Sequence, residues 1–125
     1  MYELALPMFG DLPISMADLD TDIGRWVEAL FGREPGIVLV GATALLSWKQ
    51  WLEMWARHAG VRARYRRATA SEYGARLTGL TDAVAEEFGF VEELGFTGGN
   101  PRVVYPSDVC SAAMRSFKHI MDTAN

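Results

Sequence analysis

The sequence predicts an α+β fold, a small single domain of about four helices with a short sheet. Three observations carry this. Ser47 to Gly60, SWKQWLEMWARHAG, holds three of the chain's four tryptophans, and at helical spacing Trp48, Trp51, Leu52, Trp55 and Ala59 share one face. Ile37 to Val40 is a continuous apolar run bounded by glycines, the mark of a buried strand. Val61, Ala63 and Tyr65 alternate with Arg62, Arg64 and Arg66, the two-residue period of a strand with one face turned inward.

The composition bounds the possibilities. The 125 residues are enough for one domain with a core, half of them are hydrophobic, and no apolar run approaches the ~20 residues of a membrane span. A net charge of -4 argues against a nucleic-acid footprint. The single cysteine, Cys110, excludes an internal disulfide and fits a reducing compartment. MYELALPMFG lacks the basic start of a signal peptide, and Pro7 and Gly10 interrupt it. The expectation is a cytoplasmic protein with neither a nucleic-acid nor a membrane partner.

In chain order, residues 1–17 form an extended entry segment punctuated by Pro7, Gly10 and Pro13. Asp18, Asp20 and Asp22 precede an apolar set at helical spacing, Ile23, Trp26, Val27, Leu30 and Phe31, with Gly32 as the stop. Aspartates at a helix start offer caps and complement the dipole, and their spacing lacks the glycine and distal glutamate of a calcium loop. No metal site is expected. Ser47 with Gln50 has the form of a capping box for the tryptophan helix, and Gly60 stands where a left-handed C-cap is wanted. Thr69 with Glu72 repeats the box pattern before a short turn holding Tyr73. Thr81 to Leu94 reads as a further helix closed by Gly95, and residues 111–125 as a C-terminal helix with Met114, Phe117, Ile120 and Met121 on one face. There His119 points away from the apolar side, and Ser107 or Ser111 is the cap.

Two side chains stand out as candidates for chemistry. On the wheel of the helix over 81–94, Glu87 lies inside the apolar arc of Leu80, Ala83, Val84, Phe88, Phe90, Val91 and Leu94, whereas Glu86, Glu92 and Glu93 lie outside it. A carboxylate turned inward is costly unless paired, and burial would adapt it for proton transfer; a rotated helix would instead leave it at an edge beside an arginine. His58, at the margin of the tryptophan stripe, is either a packing residue or a proton donor and acceptor. The arginines 62, 64, 66 and 67 form either a solvated face paired with the following acidic helix or a phosphate site.

LDTDIGRWVEALF, then a strand, SWKQWLEMWARHAGV, and EEFGFVEELGFTGGNPRVVYPSDV together resemble the C-terminal part of fungal NmrA-like proteins, atypical relatives of the short-chain dehydrogenases. Asp18, Asp22, Gly24 and Val27 match the family's first motif. Glu93, Gly95, Phe96, Gly98, Gly99, Pro101, Val103, Pro106 and Asp108 match its last. The chain has no G-x-x-G-x-x-G after an opening strand and no Tyr-x-x-x-Lys pair, so nicotinamide binding is not carried over and no cofactor is expected. The resemblance implies the substrate-covering half of such a protein, and with its apolar surface uncovered, a homodimer.

Two readings follow. In the first, the resemblance implies a cofactor-independent enzyme of natural-product metabolism, an isomerase, cyclase or dehydratase working by acid-base chemistry on a hydrophobic polyoxygenated metabolite. Glu87, His58 and Tyr73 would be its catalytic groups, and Trp51, Trp55, Tyr65, Phe88, Phe96 and Tyr105 would bind substrate. In the second, the domain is a non-catalytic ligand-binding or protein-interaction module. Convergence of Glu87 and His58 on one enclosed cavity separates the two.

Overall fold

The computed structural model describes residues 1–77 and 81–109. The helix expected over 111–125, with Ser111, Met114, Phe117, His119, Ile120 and Met121, lies outside the described residues, as do Leu80 and Cys110. The described chain is α+β, with helices and three separate two-stranded β pairs in place of one short sheet. Its contacts cluster into two compact units, one formed by residues 1–14 and 47–99, the other by residues 15–46 and those from 100 onward. No helix among the described residues is long and apolar enough to cross a membrane.

In the first unit, β1 (Tyr2–Leu6) runs parallel to β5 (Ala63–Arg67), with Tyr2 opposite Ala63 and Leu6 opposite Arg67. The entry segment, expected to be extended, is therefore partly a strand, and its partner β5 is what no local pattern announced. Parallel strands need a long crossover, and α2 (Trp48–Ala59) packs against β5 to supply the covering helix. Pleat alternation then sorts the side chains. Tyr2 meets Trp55 of α2 edge to face at 5.4 Å, while Glu3, on the opposite face, takes hydrogen bonds from Arg64 and Arg66 at 2.8 and 2.9 Å.

The termini of α2 are built as their residues dictate. Ser47 Oγ accepts the Gln50 N–H at 3.2 Å and Gln50 Oε1 accepts the Ser47 N–H at 2.8 Å, so both halves of the capping box are present. Gly60 ends the helix at φ 66°, a left-handed conformation that costs glycine nothing. At the start of α3 (Ala70–Gly74) only half a box forms. Thr69 Oγ1 accepts the Glu72 N–H at 3.0 Å, but the Glu72 carboxylate turns to Arg66, taking two bonds at 2.7 and 3.1 Å. A bidentate guanidinium outcompetes a single backbone donor.

The helix α4 (Thr81–Leu94) occupies the predicted span, and of the two rotations left open it takes the one that keeps Glu87 out of the interior. Val84, Ala85, Phe88, Val91 and Glu92 are half-buried, whereas Glu87, Phe90 and Leu94 are exposed. α4 packs on α3, and Tyr73 meets Phe88 edge to face at 5.6 Å.

In the second unit, α1 (Leu19–Leu30) also turns a different face inward from the one expected. Trp26 is buried, yet Ile23 and Val27 are each 49% exposed and Leu30 and Phe31 are exposed as well, while Asp22 is wholly enclosed. The run expected as one buried strand yields only the two-residue β3 (Val38–Leu39), parallel to β6 (Val103–Val104), and Val38 is exposed. A short α5 (Pro106–Val109) contacts α1. The remaining pair joins β2 (Pro13–Met16) to β4 (Ala44–Ser47).

Candidate functional site

The candidate site of the first unit grows from the end of β5. Arg67, on the pleat face opposite Arg66, donates from Nη2 to Glu92 Oε2 at 2.7 Å, and its guanidinium carbon lies 3.9 Å from the centroid of the Phe9 ring. The other Glu92 oxygen accepts the Phe9 N–H at 2.7 Å. Glu92, with a side chain only 16% exposed, therefore has a cation on one oxygen and a backbone donor on the other. This corrects the wheel: Glu92 turns inward in place of Glu87, because its carboxylate finds the two partners that offset desolvation.

Beside this pair lies an open groove of about 490 Å³. Pro7 and Ala68 line it from the β1 and β5 ends, Thr69 and Ala70 from the start of α3, and Ala85 and Gly89 from α4. Arg67 and Glu92 are its charged members. Small side chains create the space, and Gly89 is the telling one. A glycine inside a helix costs roughly 1 kcal/mol against alanine. Here a Cβ would meet nothing within 4 Å, so close packing does not require the glycine.

The residues singled out by the sequence fall elsewhere. Glu87 and His58 are exposed and neither lines the groove. Tyr73 and Phe88 are brought together as an aromatic pair. Trp51 is half-buried against Trp48 at 5.9 Å, and Trp55 against Tyr2. Tyr65 donates its phenolic hydrogen to the Met8 carbonyl at 2.6 Å, and burial, with the Glu92 charge second, pushes its pKa above the ordinary value. Its proton is thus committed to structure. Phe96 is 45% exposed. Tyr105, half-buried, belongs to the second unit, where its backbone N–H donates to Asp108 Oδ2 at 2.8 Å.

The arginine run is largely matched by carboxylates. Arg66 bridges Glu72 and Glu3, Arg64 joins Glu3, and Arg67 holds Glu92. Hydrogen bonds from Arg66 and then Arg64 hold the Glu3 carboxyl below the usual glutamate range, and Arg66 does the same to Glu72. The same contacts, Glu72 first, raise Arg66.

The second unit contains a buried polar centre that the capping argument missed. Asp18 is the N-cap of α1 but its side chain makes no capping bond. Its N–H donates to Thr43 Oγ1 at 2.7 Å, and Thr43 Oγ1 donates to Asp22 Oδ2 at 2.9 Å. Asp22 Oδ1 and Trp26 Nε1, one helical turn apart, have no hydrogen-bond partner among the described residues. No group of three or more potential metal-ligating acidic, histidine or cysteine side chains occurs among the described residues.

Comparison with protein-family models, with curated proteins and with solved structures matches this chain to none of them.

Proposed function

We propose that the chain is a non-catalytic ligand-binding module whose site is the groove between the β5–α3 junction and α4. The observation that carries this is the groove itself, about 490 Å³ walled by small side chains, with a fixed Arg67–Glu92 pair at its edge. That volume suits a small molecule, and apolar walls with few placed polar groups are what such sites use. The motif agreement with NmrA-like proteins supports a metabolite-binding domain of that lineage. Glu87 and His58 are exposed and neither lines this groove, so the groove itself supplies no acid-base pair from them.

The test is a protein-observed NMR screen of bicyclic aromatic fragments on the native chain and on Gly89→Leu. The leucine would extend from the α4 wall into open space and fill the groove. Binders should shift the amides of Ala68, Ala70 and Ala85 in the native chain and lose that effect in the variant. Binders indifferent to Gly89→Leu, or shifts mapping to Glu87 and His58, would refute this site.

Self-association of two copies through α1 is the second reading, favoured by the row Leu19, Ile23, Val27 and Leu30 left exposed on that helix, with Phe31 exposed at its C-cap. Sedimentation should show a dimer that Ile23→Glu with Val27→Glu converts to monomer; a native monomer removes the reading.

A further inference from the structure

We propose that the groove selects a neutral, carbonyl-bearing apolar molecule, with the carbonyl oxygen accepting a hydrogen bond from Arg67, and discriminates against the corresponding carboxylic acid. This rests on the groove reading above and adds the chemistry of its ligand.

Of the groove's lining residues only Arg67 and Glu92 are charged, and they meet at 2.7 Å. The site is therefore formally neutral, and an incoming carboxylate would gain one cation while meeting the anion already bound to it. Like-charge proximity in a partly desolvated groove costs affinity. A carbonyl oxygen brings the same acceptor geometry without that cost.

The donor is available and held in place. The Arg67 side chain makes one hydrogen bond among the described residues, from Nη2, so Nε–H and the Nη1 hydrogens remain for a ligand. Phe9 fixes the guanidinium from two directions, its ring beneath Arg67 and its N–H on Glu92. A donor fixed before binding loses less freedom when the ligand arrives. Glu92 spends one bond on each oxygen and is the more enclosed partner, which leaves Arg67 as the member of the pair that faces a ligand.

Two probes of one shape decide the matter, naphthalene-2-carboxamide and naphthalene-2-carboxylate, titrated at pH 7 and low salt into the ¹⁵N-labelled full chain. The signals followed are Arg67 Nε–H and the amides of Ala68, Ala70 and Gly89. The amide should bind about tenfold more tightly than the acid, a difference of about 1.4 kcal/mol. Arg67→Lys keeps a cation opposite Glu92 but loses the planar fork, and should weaken the amide by a similar factor. A carboxylate that binds as well as the amide, or better, overturns the selectivity while leaving the groove reading in place. Unchanged amide affinity in Arg67→Lys removes Arg67 as the donor. If neither probe moves these signals, the groove reading falls and this inference with it.

Discussion

Thr43 passes its hydroxyl hydrogen to Oδ2 of Asp22 over 2.9 Å, and the same hydroxyl oxygen accepts the Asp18 N–H at 2.7 Å. One buried carboxylate thus ties the start of α1 to the segment before β4. Asp22→Ala strands the Thr43 hydroxyl and should cost about 1–3 kcal/mol in urea unfolding. Asp22→Asn keeps an acceptor for Thr43 and removes an enclosed charge, and should stay within about 1 kcal/mol of the native chain. Equal damage from the two substitutions would show that the charge itself is required.

Gly10 allows the chain to pass close to Tyr65. A Cβ there would stand 2.6 Å from two Tyr65 ring atoms and 2.8 Å from Lys49 Cγ. The lysine stem can move, but the ring is held by its bond to Met8. Gly10→Ala should therefore destabilise by about 1–3 kcal/mol, read as a lower urea midpoint. A midpoint at the native value would mean the ring yields freely.

Acid should weaken the first unit through Glu3 and Glu72. Their folded pKa values lie below the ordinary 4.5, so the stability they contribute is complete above that pH and is lost as pH falls through the folded values. Melting temperature followed from pH 7 to pH 3 should drop on the acid side. Arg66→Gln removes the largest cause of both depressions, so its curve should fall less steeply there, as should that of the native chain in high salt. Parallel acid limbs in native and variant would assign the loss to other carboxylates.

Filling the glycine of α4 with a methyl group separates helix propensity from groove blocking. Gly89→Ala meets nothing within 4 Å and should stabilise by about 0.5–1 kcal/mol while narrowing the groove only slightly. A destabilised Gly89→Ala would show that the glycine serves the helix backbone.

How much was legible depended on how local the cause was. Both ends of α2 could be read from Ser47, Gln50 and Gly60, because a cap is decided within one turn. The rotation of α1 and α4 could not. Their wheels counted apolar side chains, whereas the structure turns Asp22 and Glu92 inward, where Thr43 donates to one oxygen of Asp22 and Phe9 and Arg67 donate to both oxygens of Glu92 from elsewhere in the chain. The pairing of β1 with β5 has no local signal. The groove was missed for a simpler reason: Ala68, Ala70, Ala85 and Gly89 leave space by what they lack, and hydrophobic periodicity does not record absences.

The parallel register of β1 and β5 also fixes an order of events in the cell. Glu3 and Arg64 are 61 positions apart. At the ribosome's pace of ~5–20 residues per second, β1 waits roughly 3–12 s for its partner to be synthesised. Throughout that interval its edge and the apolar side chains of Leu4 and Leu6 are open to other nascent chains. The first unit cannot close while the chain is still growing through α2, so a chaperone that holds β1 during that interval would protect its yield.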